Sequence, residues 1–174
     1  MLEERFPEYK DRIAVGLVGE GSECFGFDDF ISTDHDYGPS FCLWLTPEDY
    51  KKIAKALAYE YNCLPGGFMG IPARINSVTA RGRVGVHEIG SFYRRFIGRT
   101  EAPTGLMDWL RIPEAYLAAA TNGKVFCDKL GRFSEIRGEL LKFYPEDVRK
   151  KKLAKNAIGA EERGQAENST MMRR

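Results

Sequence analysis

The apolar residues of this chain fall into short runs that predict strands. Residues 13–18 form a continuous apolar run, which is typical of a buried strand. A second strand is predicted over residues 35–45, with a bend at its Gly-Pro pair because proline cannot donate to a strand ladder. Residues 84–89 alternate well enough for a third strand, and residues 125–128 for a short fourth one.

Helical patterns fill most of the chain between these strands. The clearest helix begins at Thr46-Pro47, where a capping hydroxyl precedes a proline at the first helical position, and it runs to about Tyr61. Ile53, Leu57 and Tyr61 recur at a spacing of four and predict an apolar stripe that packs on the sheet. Shorter helices are predicted over residues 7–12, just after Ser22, and over residues 91–97, 114–120 and 133–143, with a last one from Pro145.

A glycine-rich turn follows the first strand and is the first candidate for chemistry. Gly19, Gly21 and Ser22 let the backbone come close to a bound group, and their amide and hydroxyl groups suit phosphate oxygens. A short helix beginning after Ser22 would add the attraction of its amino-terminal end. Gly21 and Ser22 are therefore predicted to bind a nucleotide.

Two aspartates follow the glycine-rich turn. Eleven residues separate Ser22 from Asp34, and Asp36 follows after His35. If the two aspartates lie on one strand, the period of two places both carboxylates on the same face. Mg²⁺ takes a few carboxylate oxygens together with substrate phosphate oxygens. A solvated Asp-x-Asp is common, but its place after a Gly-Ser turn favours a metal site at Asp34 and Asp36.

These residues together resemble a known signature. A Gly-Ser pair, a spacer of this length and an Asp-x-Asp on the next strand are similar to the motif of the polymerase-β-like nucleotidyltransferases. The chain is most similar to a bacterial branch of that superfamily that is catalogued only as a domain of unknown function. The resemblance rests on four stretches, residues 21–29, 32–39, 120–128 and 144–149.

The resemblance implies a fold, a reaction and a set of site residues. The expected fold is α/β, a small mixed sheet flanked by helices with a C-terminal helical extension. The expected reaction is a Mg²⁺- or Mn²⁺-dependent transfer of a nucleoside monophosphate from a nucleoside triphosphate to an unknown acceptor. Gly21-Ser22 would hold the triphosphate, and Asp34 and Asp36 would bind the metal. Glu88, near the end of the third strand, is the candidate third carboxylate or the group that activates the acceptor, with a merely solvated glutamate as the alternative.

The resemblance also suggests how the chain is divided. Residues 1–143 are predicted to form the nucleotidyltransferase-like domain, and residues 144–174 a basic helix and a flexible tail. In the resembling branch this region continues into a helical second domain that normally supplies part of the acceptor pocket. A face left uncovered by such a domain makes self-association of this chain an open possibility.

Charge and composition limit the classes of partner that the chain is expected to bind. The chain carries 26 Lys and Arg against 25 Asp and Glu, so no global basic field favours a long polyanion over a small or local substrate. The 4 cysteines show no zinc-type spacing. The sequence contains neither a signal pattern nor an apolar run of membrane-spanning length. These features predict a cytoplasmic protein without a membrane partner.

Other functions remain as alternatives. A nucleotidyltransferase-like domain that no longer catalyses would act as a binding or regulatory module, and a structural protein would only have a solvated acidic loop. His35 and His87 lack a nucleophile with which to form a catalytic pair. The preferred base and the acceptor stay open: a tRNA end, an antibiotic, a protein hydroxyl and a metabolite all fit the sequence equally.

Overall fold

The computed structural model describes residues 1–26, 38–71, 82–142, 144–146, 148–150 and 152. The helices and strands of these residues, in chain order, are α1 (Leu2–Arg5), β1 (Ala14–Leu17), α2 (Ser22–Phe25), β2 (Cys42–Leu45), α3 (Pro47–Asn62), β3 (Gly85–Glu88), α4 (Ile89–Ile97), α5 (Leu106–Leu110), α6 (Glu114–Thr121), β4 (Lys124–Cys127) and α7 (Arg132–Leu141). Residues 146, 148–150 and 152 are also helical. Among all these residues, no helix is both long and apolar enough to cross a bilayer.

The four strands form one mixed sheet in the order β3-β2-β1-β4. β1 runs antiparallel to both β2 and β4, whereas β2 and β3 are parallel. In this register Gly16 of β1 lies opposite Cys42, and Cys42 lies opposite Gly85. β1 therefore ends where β2, β3 and β4 begin. We call this the glycine-loop end of the sheet, after the glycine loop of residues 18–22 that follows β1. The predicted α/β class, a small mixed sheet flanked by helices, is confirmed.

Helices cover both faces of the sheet because β2 is buried on both sides. Trp44 and Cys42 contribute to a core with α4, α5, α6 and α7, while Leu43 and Leu45 pack with α3 and Phe6 on the other face. In the first of these cores, the Trp44 ring stacks on that of Phe133 with centroids 4.0 Å apart. The alternation of a strand's side chains thus assigns each face its own set of helices.

Several predicted elements are confirmed at their ends. The Thr46 side chain accepts a hydrogen bond from the Asp49 amide and Pro47 is the first residue of α3, as the capping pattern predicts. α2 begins at Ser22, and α4 ends at Gly98 with the left-handed backbone that glycine favours. The predicted second strand from residue 35 is observed only as β2, and its first residues lie outside the described part of the chain.

The predicted helix over residues 7–12 is wrong. A helix lies earlier, at Leu2–Arg5, and the chain then forms turns in which the Tyr9 amide donates to the Phe6 carbonyl. Pro7 has no amide to donate, and Phe6 is buried in the core, which holds the chain in a turn at this point. Arg12, predicted as the last residue of this helix, pairs with α3 instead: its Nε donates to Oδ2 of buried Asp49 at 2.8 Å.

The described residues after Phe143 pack on the same core as the rest of the chain. Val148 is fully buried with α5, α6 and α7, and the Tyr144 hydroxyl donates to the Ile112 carbonyl at 2.7 Å. Lys152 belongs to the predicted basic helix. Its Nζ donates to the same carbonyl at 2.6 Å and lies 4.5 Å from the centre of the Tyr144 ring.

His87 on β3 makes stability dependent on pH. Its Nε2 is buried without a hydrogen-bond partner among the described residues, and burial, with a smaller contribution from Arg95, lowers the pKa of His87 to about 4. The unfolded chain therefore binds a proton first as the pH falls from about 6.5. We expect the titration of His87 to lower the free energy of unfolding by about 2 kcal/mol between pH 7 and pH 4.5.

Urea unfolding of the native protein and of His87→Gln at the two pH values tests this expectation. Acidification also protonates carboxylates, so the informative quantity is the difference between the two proteins. The native protein should lose more stability than the variant between pH 7 and pH 4.5. Equal losses would show that the pKa of His87 is the same in the folded and the unfolded chain.

Candidate nucleotide site at the glycine loop

The glycine loop, residues 18–22, joins β1 to α2 at the glycine-loop end of the sheet. Gly19 has a backbone φ of 148°, and Gly21 is extended just before the first turn of α2. The Gly19 amide donates to Oδ1 of Asn122 at 3.3 Å. Gly21 and Ser22, the predicted nucleotide-binding residues, thus lie where a strand end meets a helix start, as a phosphate-holding turn requires.

The turn between α6 and β4 braces this loop. The Gly123 amide donates to the Cys24 carbonyl of α2 at 2.9 Å, and the Gly123 carbonyl accepts a hydrogen bond from Arg137 of α7 at 3.1 Å. Gly123 has a φ of 72°, and a Cβ at this position would lie 2.0 Å from the carbonyl oxygen of Leu17. Only a glycine fits here without a shift of the backbone. No local pattern in the sequence indicates this contact with the glycine loop.

Two arginines flank the glycine loop. Arg83, just before β3, lies 3.5 Å through its Nη2 from Oε2 of Glu23, and Arg95 of α4 is paired with Glu20. Both arginines line the same small pocket as Gly19 and Gly21. From the sequence, Arg94 and Arg95 could either reach phosphate or face water, and Arg95 is the one of the two that lines this pocket. Arg83 was not predicted, although the Arg-Gly-Arg pattern before the third strand was the signal that could have identified it.

The pocket at the glycine loop is narrow. Its volume is about 10 Å³, which admits roughly one water molecule. Glu20 and Glu23 hold the guanidinium groups of Arg95 and Arg83 beside it. A phosphate group could enter only if these carboxylates moved away and the arginines exchanged them for phosphate oxygens, which guanidinium groups bind with similar geometry.

Glu88 lies at the other end of the sheet. It is the last residue of β3 and pairs in register with Leu45, three residues beyond the pair Cys42 and Gly85. Its two carboxylate oxygens accept hydrogen bonds of 2.7 Å from the amides of Gly90 and Ser91, so Glu88 caps α4. A strand advances about 3.3 Å per residue, which separates Glu88 from the glycine-loop end by about 10 Å. This geometry gives no support to Glu88 as the third metal-binding carboxylate.

Asp34 and Asp36 lie outside the described residues, so their prediction as metal ligands is neither supported nor contradicted. Within the described ranges, no group of three or more histidine, cysteine, aspartate or glutamate side chains could hold one metal ion. The described chain resumes at Gly38 and enters β2 at Cys42, beside Gly16 and Gly85. Asp34 and Asp36 thus precede, in the sequence, a strand that begins at the glycine-loop end of the sheet.

The comparisons with known proteins bear on the second half of the chain. A protein-family model described as a domain of unknown function, DUF4037, matches residues 109–174. The match is less than half of the chain, includes Gly123 and the helix α7, and excludes the glycine loop. No curated protein and no solved structure matches the chain.

Proposed function

We propose that this chain is a metal-dependent nucleotidyltransferase of the polymerase-β-like kind, which transfers a nucleoside monophosphate from a nucleoside triphosphate to an acceptor. One observation carries the proposal. Gly21, Arg83 and Arg95 line one pocket at the end of the sheet where β2 begins, Ser22 follows Gly21, and Asp34 and Asp36 precede β2 in the sequence. Phosphate-binding backbone, cationic side chains and a carboxylate-bearing segment are the parts that phosphoryl transfer requires.

Each residue has a distinct part in this proposal. The backbone at Gly21 and the hydroxyl of Ser22 hold the triphosphate, and Arg95 exchanges Glu20 for a phosphate oxygen. Asp34 and Asp36 bind Mg²⁺ or Mn²⁺, which when bound stabilises the charge on the attacking and leaving oxygens. The acceptor hydroxyl loses its proton to solvent, its oxygen forms a bond to the α-phosphorus, and the bond between the α-phosphorus and the oxygen that links it to the β-phosphate breaks, so that pyrophosphate leaves. Glu88 is left out of this set of residues, because its carboxylate caps α4.

A panel of nucleotides tests the proposal. The protein is incubated with labelled ATP, CTP, GTP or UTP and Mg²⁺ or Mn²⁺, and both its melting temperature and the release of pyrophosphate are measured. We expect at least one triphosphate to raise the melting temperature only when the metal is present, because binding to the folded state stabilises it. We also expect pyrophosphate release with that triphosphate. If no triphosphate has either effect, the proposal is wrong.

A second candidate is a module that binds a nucleotide but does not transfer it. The position of Glu88 favours this candidate, because its carboxylate, the candidate third metal ligand, caps α4 at the opposite end of the sheet from the glycine loop. In the same panel, this candidate predicts a metal-dependent rise in melting temperature without pyrophosphate. The two functions are therefore distinguished by turnover, and both depend on binding.

A further inference from the structure

A second, larger cavity lies beside the glycine loop. It is an open groove of about 530 Å³ between the C-terminal half of α4, α5 and the start of α6. We call it the basic groove, after the charged side chains and the exposed aromatic ring that line it, which are Arg94, Arg95, Arg99, Asp108, Arg111 and Tyr116. No single stretch of the sequence indicates this groove, because its residues come from three different elements.

Positive charge is more concentrated in the basic groove than in the chain as a whole. Among the described residues, four arginines and one aspartate line it, whereas the whole chain has a formal net charge of +1. Arg99 is paired with Asp108 at 2.5 Å, and Arg95 with Glu20 outside the groove. Guanidinium groups suit phosphate because their planar donors match two phosphate oxygens at once. A groove with this balance of charge fits a ligand that carries several phosphates.

An exposed aromatic ring lies in the same groove. Tyr116, in the first half of α6, is 53% exposed. An aromatic face beside cationic side chains is how proteins hold single-stranded nucleic acid, because bases stack on the ring while phosphates contact arginine or lysine. An acidic peptide would use the arginines but would gain little from the ring. The combination favours single-stranded nucleic acid over an acidic protein segment.

The basic groove lies next to the glycine loop. Arg95 and Phe96 line both the basic groove and the small pocket of the glycine loop. From charge, aromatic surface and this adjacency we infer that the basic groove binds a short single-stranded nucleic acid. If the proposed nucleotidyl transfer is correct, nucleic acid is also the class of acceptor, because a strand in the groove can present its terminal hydroxyl beside the loop. That second step rests on the proposed function, whereas binding itself does not.

Binding is measured without nucleotide or metal, so that its outcome is independent of nucleotidyl transfer. Fluorescence anisotropy of labelled hexauridylate and hexaadenylate reports the Kd between 50 and 200 mM salt. For about three phosphate contacts, log K should fall with log salt at a slope of about −2. Arg111→Gln should weaken binding about fivefold and reduce the steepness of that slope by about 0.7. Arg94→Gln, on another helix, should act in the same way.

The aromatic contribution is tested separately. Tyr116→Ala should weaken binding at least fivefold with the salt slope unchanged, whereas Tyr116→Phe should bind as the native protein does. Arg5→Gln and Tyr59→Ala are the matched controls, because they remove an exposed arginine and an exposed tyrosine from α1 and α3, the helices on the other face of the sheet.

Three outcomes would overturn the inference. The first is no measurable binding of either oligonucleotide by the native protein at 50 mM salt. The second is equal weakening by the groove variants and their controls. The third is equal displacement of the labelled oligonucleotide by polyglutamate and by unlabelled oligonucleotide when both are added at the same concentration of negative charge. That result would assign the groove to an acidic peptide instead.

Discussion

Replacing Gly123 by alanine should lower the free energy of unfolding by about 4 kcal/mol. The φ of 72° is a left-handed conformation that costs a residue with a Cβ about 1 to 2 kcal/mol. In addition, the new Cβ would lie 2.0 Å from the carbonyl oxygen of Leu17 and 3.2 Å from the Cα of Val18. These are backbone atoms at the end of β1, so either the strand end or the turn before β4 must move, and overpacking of this kind costs about 1 to 3 kcal/mol more.

Thermal and urea unfolding of Gly123→Ala measure this loss. For a chain of this size, about 4 kcal/mol corresponds to a fall in melting temperature of about 12 °C. Gly98→Ala is the matched control, because Gly98 has the same φ of 72° but no atom within 4 Å of the position of a Cβ. The control should therefore show only the conformational cost, about 1 kcal/mol. Equal losses in the two variants would show that the contact with Leu17 is not as tight as the structure indicates.

Replacing both Asp34 and Asp36 by asparagine should abolish the effect of Mg²⁺ on nucleotide binding. The proposed site depends on these carboxylates to hold the metal that bridges protein and triphosphate. We expect the Kd for the preferred triphosphate in Mg²⁺ to rise at least 100-fold, equivalent to about 2.7 kcal/mol, and to match the value measured with a chelator. Isothermal titration with and without Mg²⁺ provides both values.

The same titration needs a control for the loss of two negative charges. Asp11→Asn with Glu3→Gln removes two carboxylates from the start of the chain, before β1, and therefore away from the glycine-loop end. This control should bind the nucleotide as tightly as the native protein. An unchanged titration by the Asp34 and Asp36 double variant would refute the metal assignment, and with it the proposed transfer.

The local structure around the glycine loop and α3 follows from the sequence. Thr46 and Pro47 set the start of α3 because a hydroxyl cap and a proline each act on the nearest backbone groups. Gly98 ends α4 because only glycine adopts the left-handed conformation at little cost. The apolar run over residues 13–18 and the glycines that follow it likewise predict β1, the glycine loop and α2. All of these signals act over a few residues.

The contacts that the sequence did not predict join distant parts of the chain. The sequence pattern could not show that the Glu88 carboxylate caps α4 at the far end of β3, because the parallel register of β2 and β3 decides which end each residue occupies. Nor could it show that Arg12 pairs with buried Asp49, which is 37 residues away in the chain. Such pairs arise only when packing brings their elements together.

The sequence by itself therefore determined the α/β class, the ends of the main helices and the glycine loop, since backbone conformation and local capping depend on neighbouring residues. Only the tertiary structure decided the strand order β3-β2-β1-β4 and the assembly of the basic groove from α4, α5 and α6. The physical reason is that strand pairing and the convergence of charged side chains depend on the burial of apolar faces far apart in the chain, which no short window of sequence contains.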